Sequence, residues 1–497
     1  MLLAASLNGP DIPWSHILPL LIFLGATCAL LLLGSLIPSW PRVGNAVVTI
    51  SASVAAIVAS VVKWNYLHWH KGDTYIADAI AVDRFAVFAT IVISLAVVGA
   101  SLLMSAYLSR TDSEGPELYA LFMTAAIGAI VMVSANDLVV LFLGLETLSL
   151  SLYLLAASNR RREESQEAGL KYFVLGGFAS AFFLYGIALV YGGSGKTSIS
   201  TIHDSLAAYV SIHKTDAMLL VGIGLLMIGL AFKVSAAPFQ VWTPDVYEGA
   251  PTPVTAFMAS AGKVAAFAAM LRILTVALAS RADDWRPVVW ALAILTVFVG
   301  STMAVVQTNV KRMLSYSSIS HAGFILVGVE AAGHMKGNGL NSSMAYLAIY
   351  TVLVLGSFAI VLALSGVDDS ETSLDDFKGL AKRRPALALA FSVLLFAQAG
   401  VPFTAGFVAK FGVIKSAVEV NSYAIAIAAM VAAVIGAYLY LRIVVSMWME
   451  EPTSNNEIVI ARPVQYVIAL SVAATLLVGI FPDLLLNAAE LVRFAPK

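Results

Sequence analysis

Long apolar segments separated by short polar connections dominate the chain. Fourteen such segments can be followed along it, near residues 13–37, 43–62, 83–108, 117–134, 138–157, 169–191, 216–238, 253–279, 287–307, 313–332, 341–365, 385–418, 422–448 and 464–481. Most have the length of about twenty residues that a helix needs to cross roughly 30 Å of hydrocarbon. The pattern therefore predicts an all-α polytopic membrane protein with about fourteen transmembrane helices in a single integral membrane domain.

The polar connections indicate how the chain is oriented. The longest ones, residues 192–215 and 366–384, are expected to be loops, and Gln240–Phe257, rich in proline and glycine, is expected to be a rigid turn. Connections after odd-numbered segments carry a small excess of Lys and Arg, with clusters at 160–162 and 382–384. Because positive charge favours the cytoplasmic side, we expect both termini on the periplasmic side.

The amino-acid composition restricts the class of protein further. Of the 497 residues, 60% are hydrophobic and only 12% are charged, whereas an ordinary soluble domain has about 25% charged residues. Lys and Arg (29) nearly balance Asp and Glu (30), so no basic face exists to bind nucleic acid. The chain has a single cysteine, Cys28, so it can neither form an internal disulfide nor bind an Fe–S cluster through cysteines. We find no metal-ligand set and no cofactor motif.

Four charged residues fall inside apolar segments, where a charge is costly. They are Glu146, Lys233, Lys263 and Lys410. A charge at mid-bilayer costs about 2.5–3.5 kcal/mol on insertion scales, so such residues usually mark an ion or proton path. The alternative is a structural ion pair between helices, although three lysines and one acid do not pair off. Basic residues nearer the segment ends, such as Arg272, are expected to extend to the interface.

Two of the segments contain helix-breaking residues close to a buried lysine. Pro238 follows Lys233 in the seventh segment, and Gly400 and Pro402 precede Lys410 in the twelfth. Proline removes a helical hydrogen bond, which a membrane tolerates only where other groups or water satisfy the backbone. A pair of interrupted helices, one in each half, is typical of inverted-repeat transporters. We therefore expect breaks at both prolines, with the lysines facing inward.

Four motifs resemble one family of membrane proteins. They are Phe142–Glu146, the run from Lys233 through Trp242–Phe257 to Lys263, Asn309–Gly323, and Gly400–Lys410. On these motifs the chain resembles the antiporter-like membrane subunits of bacterial respiratory complex I (NADH–quinone oxidoreductase), and among them the subunit N family. Sister subunits fit less well: an M-type chain would carry glutamate in place of Lys410, and an L-type chain would continue well beyond Lys497.

The resemblance implies an antiporter-like fold and a proton path. The implied fold has two inverted five-helix repeats, 117–279 (helices 4–8) and 287–448 (helices 9–13), flanked by 1–116 (helices 1–3) and 464–497 (helix 14), with helices 7 and 12 broken. Glu146 and Lys233 match the family's acid–lysine pair, and Lys263 and Lys410 match its further buried lysines. His321 matches a position on the central polar axis, although a core histidine with satisfied hydrogen bonds is the alternative. We expect Lys263 between Lys233 and Lys410.

The function implied by the resemblance is proton translocation in a bacterial inner membrane. NADH, FMN, Fe–S clusters and quinone would be bound by partner subunits and none by this chain. K-like and M-like membrane subunits would be neighbours, and the hydrophilic redox arm an indirect partner. Two other functions stay open: a subunit of a multi-subunit Na⁺/H⁺ antiporter, which shares the fold, and a scaffold without transport. A plastid-type complex with another electron donor also stays open.

Overall fold

Helices form most of the described structure. The computed structural model describes residues 12–37, 40–111, 115–210, 217–334, 337–367, 369–453 and 458–495. The terminal residues on which the predicted periplasmic location depends, 1–11 and 496–497, lie outside these ranges.

Eight helices precede the first helix break: α1 Leu18–Leu36, α2 Arg42–Trp69, α3 Arg84–Thr111, α4 Pro116–Ser134, α5 Leu138–Ala156, α6 Glu163–Ser194, α7 Ile199–Val210 and α8 Ala217–Lys233. A short antiparallel hairpin, β1 Asp73–Tyr75 and β2 Ile80–Val82, joins α2 to α3. The next part contains α9 Trp242–Gly249, α10 Thr252–Phe257, a π-helical turn Met258–Gly262, α11 Lys263–Arg272, a second π-helical turn Ile273–Ala277 and a 3₁₀ turn Ala279–Arg281.

The remaining elements are α12 Ala282–Val305, α13 Val310–Ala332, α14 Gly339–Leu364, a 3₁₀ turn Leu374–Phe377, α15 Leu380–Arg383, α16 Pro385–Ala399, α17 Ala405–Glu419, α18 Tyr423–Met449, α19 Arg462–Ile480 and α20 Asp483–Glu490. Each of the fourteen predicted segments coincides with one of these helices or with a broken pair. In the described ranges, eleven helical segments are long and apolar enough to cross a membrane, and α8 and α16 are shorter apolar helices. The polytopic all-α class is confirmed, and the count of fourteen stays a prediction.

Three connections differ from the sequence prediction. Gln240–Phe257 contains α9 and α10 instead of a simple turn, residues 192–215 contain α7, and 366–384 contain a 3₁₀ turn and α15. These helices were missed because each is short and lies among proline, glycine and serine residues, which hydropathy alone treats as loop residues.

The helices differ in how much of their surface is buried. The most buried helices lie at the centre of the molecule. The segment Thr252–Ala277 and α13 are almost entirely buried, and most of α14 and α3 is buried as well, whereas α1 and α19 are largely exposed. An outer helix turns its apolar surface to lipid, and an inner helix packs on other helices. Lys263 is therefore carried by one of the two most enclosed helical segments among the described residues, and α13 is the other.

Candidate functional site

Both predicted helix breaks are present. The first separates α8, which ends at Lys233, from α9, and Pro238 lies in the intervening turn. The second separates α16, which ends at Ala399, from α17, and Pro402 lies between them. Lys233 and Lys410 are both buried. The expectation of two breaks with inward-facing lysines is confirmed.

Lys233 is hydrogen-bonded to a serine that lies one helix turn from Glu146. Lys233 Nζ donates a hydrogen bond to Ser149 Oγ at 2.6 Å, and Ser149 lies three residues after Glu146 on α5, on the same helix face. Within the described ranges, no ion pair within 4 Å joins Glu146 to Lys233, and Glu146 Oε1 is buried without a hydrogen-bond partner. The acid and the lysine thus share a site without direct contact.

Close helix packing fixes the position of Glu146. A Cβ atom on Gly128 of α4 would lie 2.4 Å from the backbone nitrogen of Leu148, and one on Gly144 of α5 would lie 2.9 Å from the Gly128 carbonyl oxygen. Only glycine permits α4 and α5 to approach so closely. Gly144 and Leu148 lie two residues before and two residues after Glu146, so this contact holds the acid-bearing part of α5 in place.

Aromatic rings surround the Lys233 ammonium group. Its Nζ lies 5.5 Å from the ring centroids of both Tyr153 and Tyr172. Tyr172 also stacks on Trp242, the first residue of α9. Ring faces attract a cation without neutralising it. The two tyrosine rings therefore form an aromatic wall around the Lys233 ammonium group.

Lys263 lies at the end of a π-helical turn and points to α13. It is 2% exposed, and its Nζ donates a hydrogen bond to the backbone carbonyl of Ser318 at 2.5 Å. The preceding turn, Met258–Gly262, has π-helical geometry, which is frequent at functional sites because it changes the direction of the following side chains. The hydrogen bond joins the first half of the chain to α13 in the second half.

His321 belongs to a buried hydrogen-bond network. Its Nδ1 lies 2.6 Å from the hydroxyl of Tyr346, and its Nε2 lies 3.3 Å from the hydroxyl of Tyr440. Tyr440 continues to Ser317 at 2.6 Å, and Ser317 Oγ donates to Gln398 Oε1 at 3.2 Å. His321 therefore has the satisfied hydrogen bonds of a core histidine. Its partners also form a polar chain, as a position on the polar axis would require.

Lys410 binds a carbonyl that the second break sets free. Its Nζ donates a hydrogen bond to the carbonyl of Ala399, the last residue of α16, at 2.9 Å. In an unbroken helix that carbonyl would accept from the residue four positions later. Beside Lys410 is a cavity of about 10 Å³ whose polar lining includes Ser301, Ser317 and Tyr440, enough for about one water molecule.

The structure groups the predicted site residues in two clusters. Glu146 and Lys233 form one, at the first break. Lys263, His321 and Lys410 form the other, connected through α13, the His321 network and the cavity. No hydrogen bond between described residues joins Lys233 directly to Lys263. The expectation that Lys263 lies between Lys233 and Lys410 stays a prediction.

Sequence reasoning missed a buried ion pair at the start of α13. Lys311 is completely buried; its Nζ donates to the Ala250 carbonyl at 2.7 Å and lies 3.5 Å from Asp369. Burial alone would raise the pKa of Asp369, but Lys311 and hydrogen bonds from Ser365 and Thr252 hold that pKa below its usual value. Asp369 is therefore ionised at neutral pH, and this pair ties the α9–α10 turn to the connection after α14.

The expectation that Arg272 extends to the interface stays a prediction, and the structure shows a buried ion pair that the sequence did not indicate. Its guanidinium is buried and binds Asp83 through two hydrogen bonds of 2.9 and 3.0 Å, and it also donates to the Val133 carbonyl at 3.0 Å. Asp83 lies 189 positions earlier in the chain, at the start of α3. Nothing local in the sequence indicates such a pairing, so only the fold could reveal it.

Metal ligands are not grouped in the described part of the chain. Across those ranges, no cluster of three or more His, Cys, Asp or Glu side chains could hold a metal ion. The candidate site therefore consists of lysines, one carboxylate, one histidine and hydroxyl groups. Such groups bind and release protons or form hydrogen bonds.

Comparison with known proteins gives the family. The model described as NADH:quinone oxidoreductase/Mrp antiporter, TM, matches residues 135–436. NADH-quinone oxidoreductase subunit N of Trichlorobacter lovleyi is 40% identical to this chain, over 95% of this chain and 96% of its own length.

Solved structures agree with this relationship. A chain of respiratory complex I from Thermus thermophilus with bound aureothin is 30% identical, with a TM-score of 0.80, covering 96% of this chain and 100% of its own. A chain of the Mrp complex from Dietzia sp. is 21% identical, with a TM-score of 0.85 and 97% coverage of both chains, and shares the fold. The chain therefore belongs to the NADH:quinone oxidoreductase/Mrp antiporter family and, within it, to the proteins named NADH-quinone oxidoreductase subunit N.

Proposed function

We propose that this chain is the proton-translocating subunit N of a NADH–quinone oxidoreductase, in which electron transfer in partner subunits drives protons through this chain. The observation that carries the proposal is the placement of Lys233, Lys263 and Lys410: each is buried and hydrogen-bonded at a helix break, a π-helical turn or a freed carbonyl. A scaffold without transport has no need of three such costly groups.

Proton loading takes place at the first break. A nearby carboxylate stabilises the charged form of a lysine, and burial favours the neutral form. Lys233 is now bonded to Ser149, with Glu146 one helix turn away on the same face. A small shift of α5 that exchanges Ser149 for Glu146 as the partner of Lys233 makes the lysine hold its proton, and the reverse shift releases it.

Transfer to the second half uses Lys263 and the His321 network. A water bridges Lys233 to Lys263, since ordered water connects polar groups that do not touch. From Lys263 the proton passes along α13 through His321, Tyr440 and Ser317, whose groups can all both donate and accept. The water-sized cavity then leads to Lys410, which exchanges the proton with the opposite side.

The proposal also covers the repeats within the chain, the membrane in which it lies and its neighbouring subunits. Residues 117–279 and 287–448 form two inverted repeats, with 1–116 and 464–497 flanking them. The chain lies in a bacterial inner membrane with both termini on the periplasmic side. K-like and M-like membrane subunits are its neighbours. NADH, FMN, Fe–S clusters and quinone belong to partner subunits.

Co-purification tests the proposal against the antiporter alternative. The tagged chain is extracted from membranes with a mild detergent, and the accompanying subunits are identified by mass spectrometry. Fe–S and flavin subunits together with several membrane subunits are expected. Recovery of only the membrane subunits of a Na⁺/H⁺ antiporter would contradict the proposal and favour the alternative.

A further inference from the structure

An apolar groove opens on the outer surface of the helical domain. Its volume is about 370 Å³, and its walls come from α2, α3, α14, α19 and α20. Apart from Thr475 and the Trp64 indole nitrogen, its lining side chains are hydrocarbon. Its lining also includes Ala405, the first residue of α17 after the second break. Because its walls are apolar membrane helices, the groove opens to hydrocarbon.

The groove together with Arg84, which lies beside it, spans about one leaflet. Along α3 its wall is formed by Phe88, Ile91 and Leu95, and one turn before Phe88 lies Arg84, whose guanidinium is 5.3 Å from the Trp64 ring centroid. From Arg84 to Leu95 the helix rises about 16 Å, roughly half of the 30 Å hydrocarbon thickness. Tryptophan and arginine are typical of the membrane interface, so the groove runs from the interface towards the midplane.

The mouth of the groove is positively charged. Arg84 Nη2 lies 3.0 Å from His68 Nδ1, and the carbonyl of Arg493 accepts a hydrogen bond from the Phe85 backbone at 3.3 Å, which places Arg493 beside Arg84. The neighbouring acid, Asp83, is engaged by Arg272. Within the described ranges, no carboxylate lies within ion-pair distance of Arg84 or Arg493. Arginine is well suited to bind a phosphate.

We propose that this groove binds one phospholipid from the leaflet on the side of the β1–β2 hairpin. The phosphate binds Arg84, and an acyl chain descends past Phe88 and Leu95 to Ala405. An acyl chain matches the hydrocarbon lining and a phosphate matches the arginine beside it, so a phospholipid fits both features, whereas an apolar helix of another protein would leave Arg84 without an anionic partner. This site is separate from the proton path and does not depend on it.

The test uses the purified chain together with its accompanying subunits, in nanodiscs containing phosphatidylglycerol with a photoactivatable diazirine near the end of one acyl chain. Cross-linked lipid is expected on peptides of α3, α14 and α19. Ala474, which lines the groove, is changed to Phe to fill it, and Ala473→Phe, at the exposed neighbouring position, is the matched control. Labelling should be lost in the first variant and kept in the second.

The headgroup contact is tested separately. Arg84→Gln should reduce labelling about tenfold, the loss expected for one charge-assisted hydrogen bond, and Arg84→Lys should retain most of it. Gel electrophoresis verifies that every variant assembles. Equal labelling of Ala474→Phe and Ala473→Phe, unchanged labelling in Arg84→Gln, or cross-links from these helices to another subunit would overturn the proposal.

Discussion

The second break can be tested by adding a single methyl group. Gly406, the second residue of α17, faces α16 across the break. A Cβ atom at this position would lie 1.7 Å from the carbonyl oxygen of Ala397. Both segments meet there through backbone atoms, so no side chain can rotate away. Gly406→Ala therefore forces α16 and α17 apart.

The size of the effect follows from the distances. To reach even a tight contact of 3.0 Å, the two segments must separate by at least 1.3 Å. The hydrogen bond from Lys410 to the Ala399 carbonyl, now 2.9 Å, would lengthen beyond the range of a hydrogen bond. Overpacking of this kind costs about 1–3 kcal/mol, which corresponds to a roughly five- to hundredfold lower turnover if the whole cost falls on the active arrangement.

Proton-coupled NADH oxidation in membrane vesicles measures the effect. The matched control is Gly412→Ala on the same helix, where a Cβ atom would make an ordinary contact of 3.6 Å with Ser342. The control is expected to match the unchanged protein, and Gly406→Ala to lose turnover while the complex still assembles. Equal, undiminished activity in both variants would refute the idea that the packing of this break positions Lys410.

Three further predictions concern acidic residues. Glu146→Gln removes the charge that stabilises charged Lys233, so an assembled complex with strongly reduced proton pumping and quinone reduction is expected, and normal coupled turnover would contradict the role of Glu146. Asp137→Asn should leave the same assays unchanged, because Asp137 caps α5 and asparagine is an equally good cap. Asp83→Asn should destabilise the subunit by about 3–5 kcal/mol, since Arg272 would keep a buried, unpaired charge; thermal unfolding of the purified complex measures this, and the double variant Asp83→Asn/Arg272→Gln should recover part of the loss.

The sequence was informative wherever a physical signal is local. Apolar runs predicted the helices because the hydrocarbon thickness fixes their length. Pro238 and Pro402 predicted the two breaks because proline cannot continue a helical hydrogen-bond pattern. The breaks and the cost of a charge in the membrane predicted that Lys233 and Lys410 would face inward, and both are buried. Residue roles in the proton path remain to be tested by mutation.

Local sequence patterns could not predict contacts between residues that lie far apart in the chain. Lys311 stands beside Arg312 in a polar connection and looks like an orientation signal, yet it is buried against Asp369, 58 residues later. The polar chain through Tyr440 and Gln398 was also missed, because each residue is unremarkable within its own helix. A hint was available in the run Ser315–His321, since so many hydroxyl groups on one helix need partners in an apolar interior.

Lys263 provides the most direct test of the central claim, that one proton path runs through this chain. The measurement is the number of protons translocated per NADH oxidised in vesicles containing the complex, for the unchanged protein, Lys263→Ala and Lys263→Arg. Both variants are expected to assemble, Ala to impair coupled turnover, and Arg to rescue it poorly because its guanidinium keeps a charge but does not release its proton. Full proton translocation in Lys263→Ala would leave two unconnected half-sites and contradict the account.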